Sequence, residues 1–114
     1  MTEMSARVLI VDSDRLHGEA LSIALRQRGY FVRLVSHQQV SARDTADILQ
    51  YDVVMIDLTI DQEAHWRSLD RISAFIATTH ARPGILCYSK TYRGPGMKLR
   101  AERKGARFVY ARPL

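Results

Sequence analysis

Two aliphatic runs in the sequence end on a carboxylate: RVLIVD closes on Asp12 and DVVMID on Asp57. A third apolar run, ILCYS, ends on the hydroxyl of Ser89, and a fourth, RFVYA, is followed by Arg112. Unbroken aliphatic runs of this kind are the pattern of strands covered on both faces. Polar groups delivered where such strands stop lie outside the core, so two acids, a hydroxyl and a cation meet at one edge of a sheet. That is a chemistry of oxygens and fixed charge. Thiolate and imidazole chemistry has less support. The histidines, His17, His37, His65 and His80, stand singly, with no metal-ligand spacing and no serine or cysteine partner that would make a triad. The lone Cys87, inside GILCYS, excludes an internal disulfide and a cysteine metal cluster, and reads as a small buried hydrophobe. YRGPGMK is a turn before a helix and lacks the Gly-Lys-Thr/Ser ending of a phosphate-cradling loop.

The elements that must position these groups follow from the apolar period. After the first strand, Leu16, Ala20, Leu21, Ala24 and Leu25 recur at helical spacing, with Ser13 or Asp14 as N-cap and Gly29 as the stop. YFVRLV reads as a strand and residues from Ser41 to Gln50 as a helix that Asp44 helps to cap. After DVVMID, Glu63 to Thr79 makes a helix with Leu69, Ile72 and Ile76 on its inner stripe, and Trp66 is a packing residue. Pro83 and Gly84 lead into ILCYS, Met97 to Lys104 forms a short helix, and RFVYA is the fifth strand. Alternation of strand and helix predicts one α/β domain over residues 1–114, with a parallel sheet and helices on both faces.

With 46% hydrophobic and 25% charged residues, the composition is that of a folded globular domain rather than a disordered one. No apolar run approaches membrane-spanning length and no signal-peptide pattern opens the chain, so the expectation is a cytoplasmic protein with no membrane contact. The net charge of +5 is unevenly spread: residues 90–114 hold eight of the 17 Lys and Arg but only Glu102 of the 12 acids. Such a basic stretch marks a nucleic-acid surface, an acidic protein partner or a solvated helix face. With no helix-turn-helix pattern and no aromatic-rich RNA-binding signature, nucleic acid is the less favoured partner.

Over essentially its whole length the chain resembles the receiver domain of two-component response regulators. The resemblance rests on VLIVDSD followed by ALRQRGY, on YDVVMIDL, on ILCYS and on KGARFVYARP, in that order. It implies a flavodoxin-like, doubly wound five-stranded parallel sheet of order 2-1-3-4-5, and a role in phosphorelay signalling rather than as an independent enzyme. By position, Asp57 is then the phosphoacceptor, Asp12 and Asp14 belong to the acidic pocket, Ser89 is the switch hydroxyl and Arg112 replaces the family's lysine. A carboxylate that attacks a phosphoryl group needs nearby positive charge, which the family supplies with magnesium and that lysine. The partner implied is a sensor histidine kinase.

The sequence also departs from the family. Ser13 stands where the second acid would bind magnesium directly, leaving Asp12 and Asp57 as a weak ligand set; Lys90 follows the switch hydroxyl, and the loop after Asp57 lacks the family's proline. The switch aromatic falls on Val109, between Phe108 and Tyr110. Asp12 and Asp57 balanced by Lys90 and Arg112 would need little magnesium. One reading is therefore a degenerate receiver, with magnesium weak or absent, that works through protein contacts. The other is ordinary phosphorylation at Asp57 with Asp12 alone recruiting the ion. A basic nucleic-acid-associated module, or the N-terminal receiver of a transcription regulator, is the alternative in function. The sequence ends at Leu114, where the family's fifth helix would begin, and a homodimer covering the face left by that helix is a further expectation.

Overall fold

Strands and helices alternate from Arg7 to Ala111 in this computed structural model, which describes residues 6–42, 48, 50–59, 62–77, 83–89 and 95–111. The elements are β1 (Arg7–Val11), α1 (Arg15–Gln27), β2 (Phe31–Val35), α2 (His37–Ala42), β3 (Val53–Asp57), α3 (Glu63–Ala77), β4 (Gly84–Ser89), α4 (Pro95–Arg103) and β5 (Phe108–Ala111). All strand pairs are parallel and the order is β2-β1-β3-β4-β5, as the resemblance implies. The order reverses direction between β1 and β3, so the crevice of this sheet lies beyond the carboxyl ends of those two strands.

Alternation along each strand divides the core. Leu9, Val11, Val54, Ile56, Ile85 and Cys87 share one cluster with Trp66, Leu69, Ile72 and Ile76 of α3 and Met97 and Ala101 of α4. Val8, Ile10 and Val32 form the other, against Leu21 and Leu25 of α1. A strand with neighbours of this kind on both sides has no polar face, which is why its sequence shows a continuous apolar run.

The helix boundaries refine the sequence expectation. Asp14 is the cap of α1: its backbone is extended and its carboxylate accepts the His17 N–H. The helix ends through Gly29, whose φ of 91° suits a residue without Cβ. α2 starts at His37, earlier than Ser41, because Ser36 and Gln39 form a reciprocal cap: the Ser36 N–H donates to Gln39 Oε1 at 2.7 Å and the Gln39 N–H to Ser36 Oγ at 3.3 Å. Asp44, expected to cap this helix, lies outside the described residues, as do Thr78 and Thr79 at the expected end of α3. α4 begins at Pro95, two residues ahead of Met97, with proline in the first turn where its missing N–H costs nothing.

Candidate functional site

One register step beyond the Val11–Ile56 pair, the adjacent strands β1 and β3 release Asp12 and Asp57. β4 places Tyr88 in register with Asp57 and ends on Ser89. All three predicted groups at this edge are enclosed: Asp12 is 3% exposed, Asp57 4% and Ser89 1%. Lys90 and Arg112, the cations expected to face them, lie outside the described residues, as does the whole of His80. β5 is in place, but the side chains of Phe108, Val109 and Tyr110 are not among those described.

The Asp12 carboxylate accepts hydrogen bonds from three directions. Oδ1 takes the Asp14 N–H at 2.8 Å; Oδ2 takes the Tyr88 hydroxyl at 2.8 Å and lies 2.7 Å from His17 Nδ1. An ionised carboxylate has only lone pairs to offer, so Nδ1 carries the proton in that contact. The His17 and Tyr88 rings also meet, at 5.3 Å between centroids. A buried carboxylate is costly unless its oxygens are fully hydrogen-bonded, and these donors supply that.

Two expected members of the site have other work. Asp14, expected in the acidic pocket, caps α1: its carboxylate accepts the His17 N–H in the first turn of the helix. Ser13, at the position of the family's magnesium-binding acid, accepts the His37 N–H on Oγ at 3.2 Å.

His37 is the second polar group buried beside the site. Its Nε2 lies 2.8 Å from the Asp57 carbonyl oxygen, which can only accept, so Nε2 carries a proton; Nδ1 lies 2.8 Å from Ser68 Oγ on α3. His65 stacks on it at 3.8 Å and accepts the Thr59 N–H on Nδ1 at 3.0 Å. Burial lowers the His37 pKa to about 4, with the neighbouring His65 acting in the same direction, and burial lowers His65 as well. The stacked pair is therefore neutral at neutral pH. It ties the start of α2, the first turns of α3 and the segment after Asp57 to one another.

Read from the sequence, the histidines are isolated and Tyr88 has no role; the fold brings His17, His37, His65 and Tyr88 to the site. A local signal existed for His17 alone. Once Asp14 is the cap, His17 is the third helical residue, and its side chain lies over the first turn beside the end of β1. Cys87 is the inert residue expected, fully buried, with its thiol pushed up to about 12 by burial.

Among the described residues, no group of three or more His, Cys, Asp or Glu is arranged to hold a metal ion. None of the described helices is long and apolar enough to cross a membrane.

No family model matches the sequence, and no curated protein sequence matches it. Solved structures do match. A response regulator from Burkholderia multivorans is 23% identical with a TM-score of 0.72, over 97% of this chain and 86% of that one. The chemotaxis protein CheY4 of Vibrio cholerae is 19% identical with a TM-score of 0.78, over 97% and 89%. A Burkholderia pseudomallei response regulator, solved with a phosphorylated aspartic acid, calcium and citrate, is 19% identical with a TM-score of 0.70, over 96% of this chain and 61% of that one. These likenesses concern the fold: the chain folds as a response-regulator receiver domain does.

Proposed function

We propose that the chain is a degenerate receiver, a signalling domain that acts through protein contacts and does not depend on magnesium-assisted phosphorylation of Asp57. The observation that carries this reading is the engagement of Asp12. Its oxygens accept from Asp14, His17 and Tyr88, while Ser13 supplies no carboxylate and is bonded to the start of α2. Magnesium takes oxygen ligands in near-ideal octahedral geometry and gives up its water reluctantly. To reach Asp12 it would have to displace buried donors, so the residues present do not fit the ion. The calcium and phosphorylated aspartate of the Burkholderia pseudomallei structure belong to a site of that protein.

On this reading Asp57 occupies the phosphoacceptor position and Ser89 the switch position, with Lys90 and Arg112 as the balancing cations. The domain works in the cytoplasm and is not an enzyme in its own right. Its partners are proteins: a sensor histidine kinase, an acidic partner on the basic face, or a second copy on the α1 side of the sheet. Of the described helices, α1 is the one packed on that side, and Leu86 of β4 is half-buried there.

The test is incubation with acetyl phosphate, with and without magnesium, followed by intact mass measurement. The expected result is an unchanged mass in both. A stoichiometric, magnesium-dependent adduct that disappears in Asp57→Asn overturns the reading in favour of an ordinary phosphorylated receiver.

A further inference from the structure

We propose that the groove between α2 and α3 binds a phosphate-bearing small molecule of about mononucleotide size. The groove has a volume of about 640 Å³. Ligand pockets fall at about 300–1,000 Å³, so this one is far larger than a free phosphate requires. Arg67, Arg71, Gln38, Gln62 and the stacked His37 and His65 contribute to its lining, and among the described residues no carboxylate does.

The charge arrangement argues for an anion. Arg67 and Arg71 are exposed and lie one turn apart on α3, where like charges repel. Among the described residues neither is paired with an acid, although Arg15, Arg100 and Lys104 all are. Two guanidinium groups that no described acid neutralises suit phosphate oxygens, which guanidinium groups bind in bidentate fashion. The size and the other donors argue for more than phosphate. Gln62 presents an amide that both donates and accepts, as the hydroxyls and ring edges of a nucleoside require. The buried wall is rigid: His37 and Ser68, 4% and 3% exposed, are bonded to each other at 2.8 Å. The groove lies beside the Asp57 site, so this proposal stands whether or not Asp57 is phosphorylated.

The full chain is titrated with adenosine monophosphate, guanosine monophosphate, adenosine and inorganic phosphate, using calorimetry and amide NMR shifts. Saturable binding of a mononucleotide, with shifts at Gln38, Gln62 and His65 and none of comparable size from adenosine, is the expected result. The Arg67→Gln/Arg71→Gln variant should weaken that binding by roughly tenfold or more. Its melting temperature without ligand should not fall, since both side chains are exposed and repel each other. Equal binding of adenosine, unchanged affinity in the double variant, or no shift at the groove with either mononucleotide overturns the proposal. Binding of inorganic phosphate with both mononucleotides excluded overturns the size assignment and the proposal with it.

Discussion

A carboxylate whose side chain is fully enclosed, as that of Asp12 is, survives as an anion only if its lone pairs are satisfied. Tyr88 and His17 are therefore structural requirements of Asp12 as much as neighbours of it. Tyr88→Phe removes one bond to a charged acceptor and should cost about 1–3 kcal/mol, read from chemical denaturation. If these two side chains are also what keeps magnesium away, the melting temperature of His17→Ala/Tyr88→Phe should rise in millimolar magnesium while that of the wild type stays constant. Identical responses of the two proteins would refute that account. His37 gives a second prediction at this scale. Unfolded, it takes up a proton near 6.5; folded, near 4. Folding thus favours the neutral ring, and the associated stabilisation is present in full above pH 6.5 and is lost as pH falls toward 4. A difference of that size corresponds to about 3 kcal/mol. Denaturation between neutral pH and pH 4 should show a marked fall in stability that is smaller in His37→Gln, which retains a donor and an acceptor. A profile unchanged by that substitution would assign the acid sensitivity to other groups.

At the scale of elements, positive-φ glycines mark where helices stop, but the two sites are not equivalent. Gly29 has φ 91° with open space where a Cβ would stand, whereas at Gly105, φ 107°, a Cβ would press on Ser73 Oγ of α3. Gly29→Ala should cost about 1 kcal/mol from backbone strain alone. Gly105→Ala should cost about 1–3 kcal/mol more because α3 must also give way. Equal losses in denaturant melts would show that Ser73 simply turns aside. β1, β3 and β4 were legible because they are buried or half-buried on both faces, which leaves a continuous apolar run and a polar residue at its end; Asp12, Asp57 and Ser89 were found that way. The start of α2 at His37 was not legible from the period because the helix is short and Val40 is the one buried apolar residue among its described side chains, although Ser36 and Gln39 carried the capping signal; most of the expected span from Ser41 to Gln50 lies outside the described residues. The histidines and Tyr88 were not legible for a different reason. His37 meets Ser68 at a separation of 31 residues and Tyr88 meets Asp12 at 76, contacts that exist only once the sheet order is known.

For the whole molecule, the charge count overstates the basic surface. Of the cations on and after α4, Lys104 bonds Asp70 at 2.7 Å, and Arg100 lies 3.8 Å from Glu63 and 3.9 Å above the Trp66 ring. Acids of α3 thus neutralise part of what looks in sequence like an unopposed basic segment. Among the described residues of that region, Lys98, Arg103 and Arg107 remain without an acidic partner. Each phosphate contact contributes about −0.9 to the slope of log affinity against log salt on duplex DNA. Three such contacts give a slope of about −3, with weak affinity and no sequence preference, because contacts of Lys and Arg with phosphates carry no sequence information. Fluorescence anisotropy with two unrelated duplexes across a salt series measures both quantities. Equal, weak binding that vanishes near physiological salt fits a face on which Arg100 and Lys104 are paired within the protein and whose partner is another protein. Tight binding that distinguishes the duplexes at that salt would instead make nucleic acid the partner and displace the receiver reading from first place.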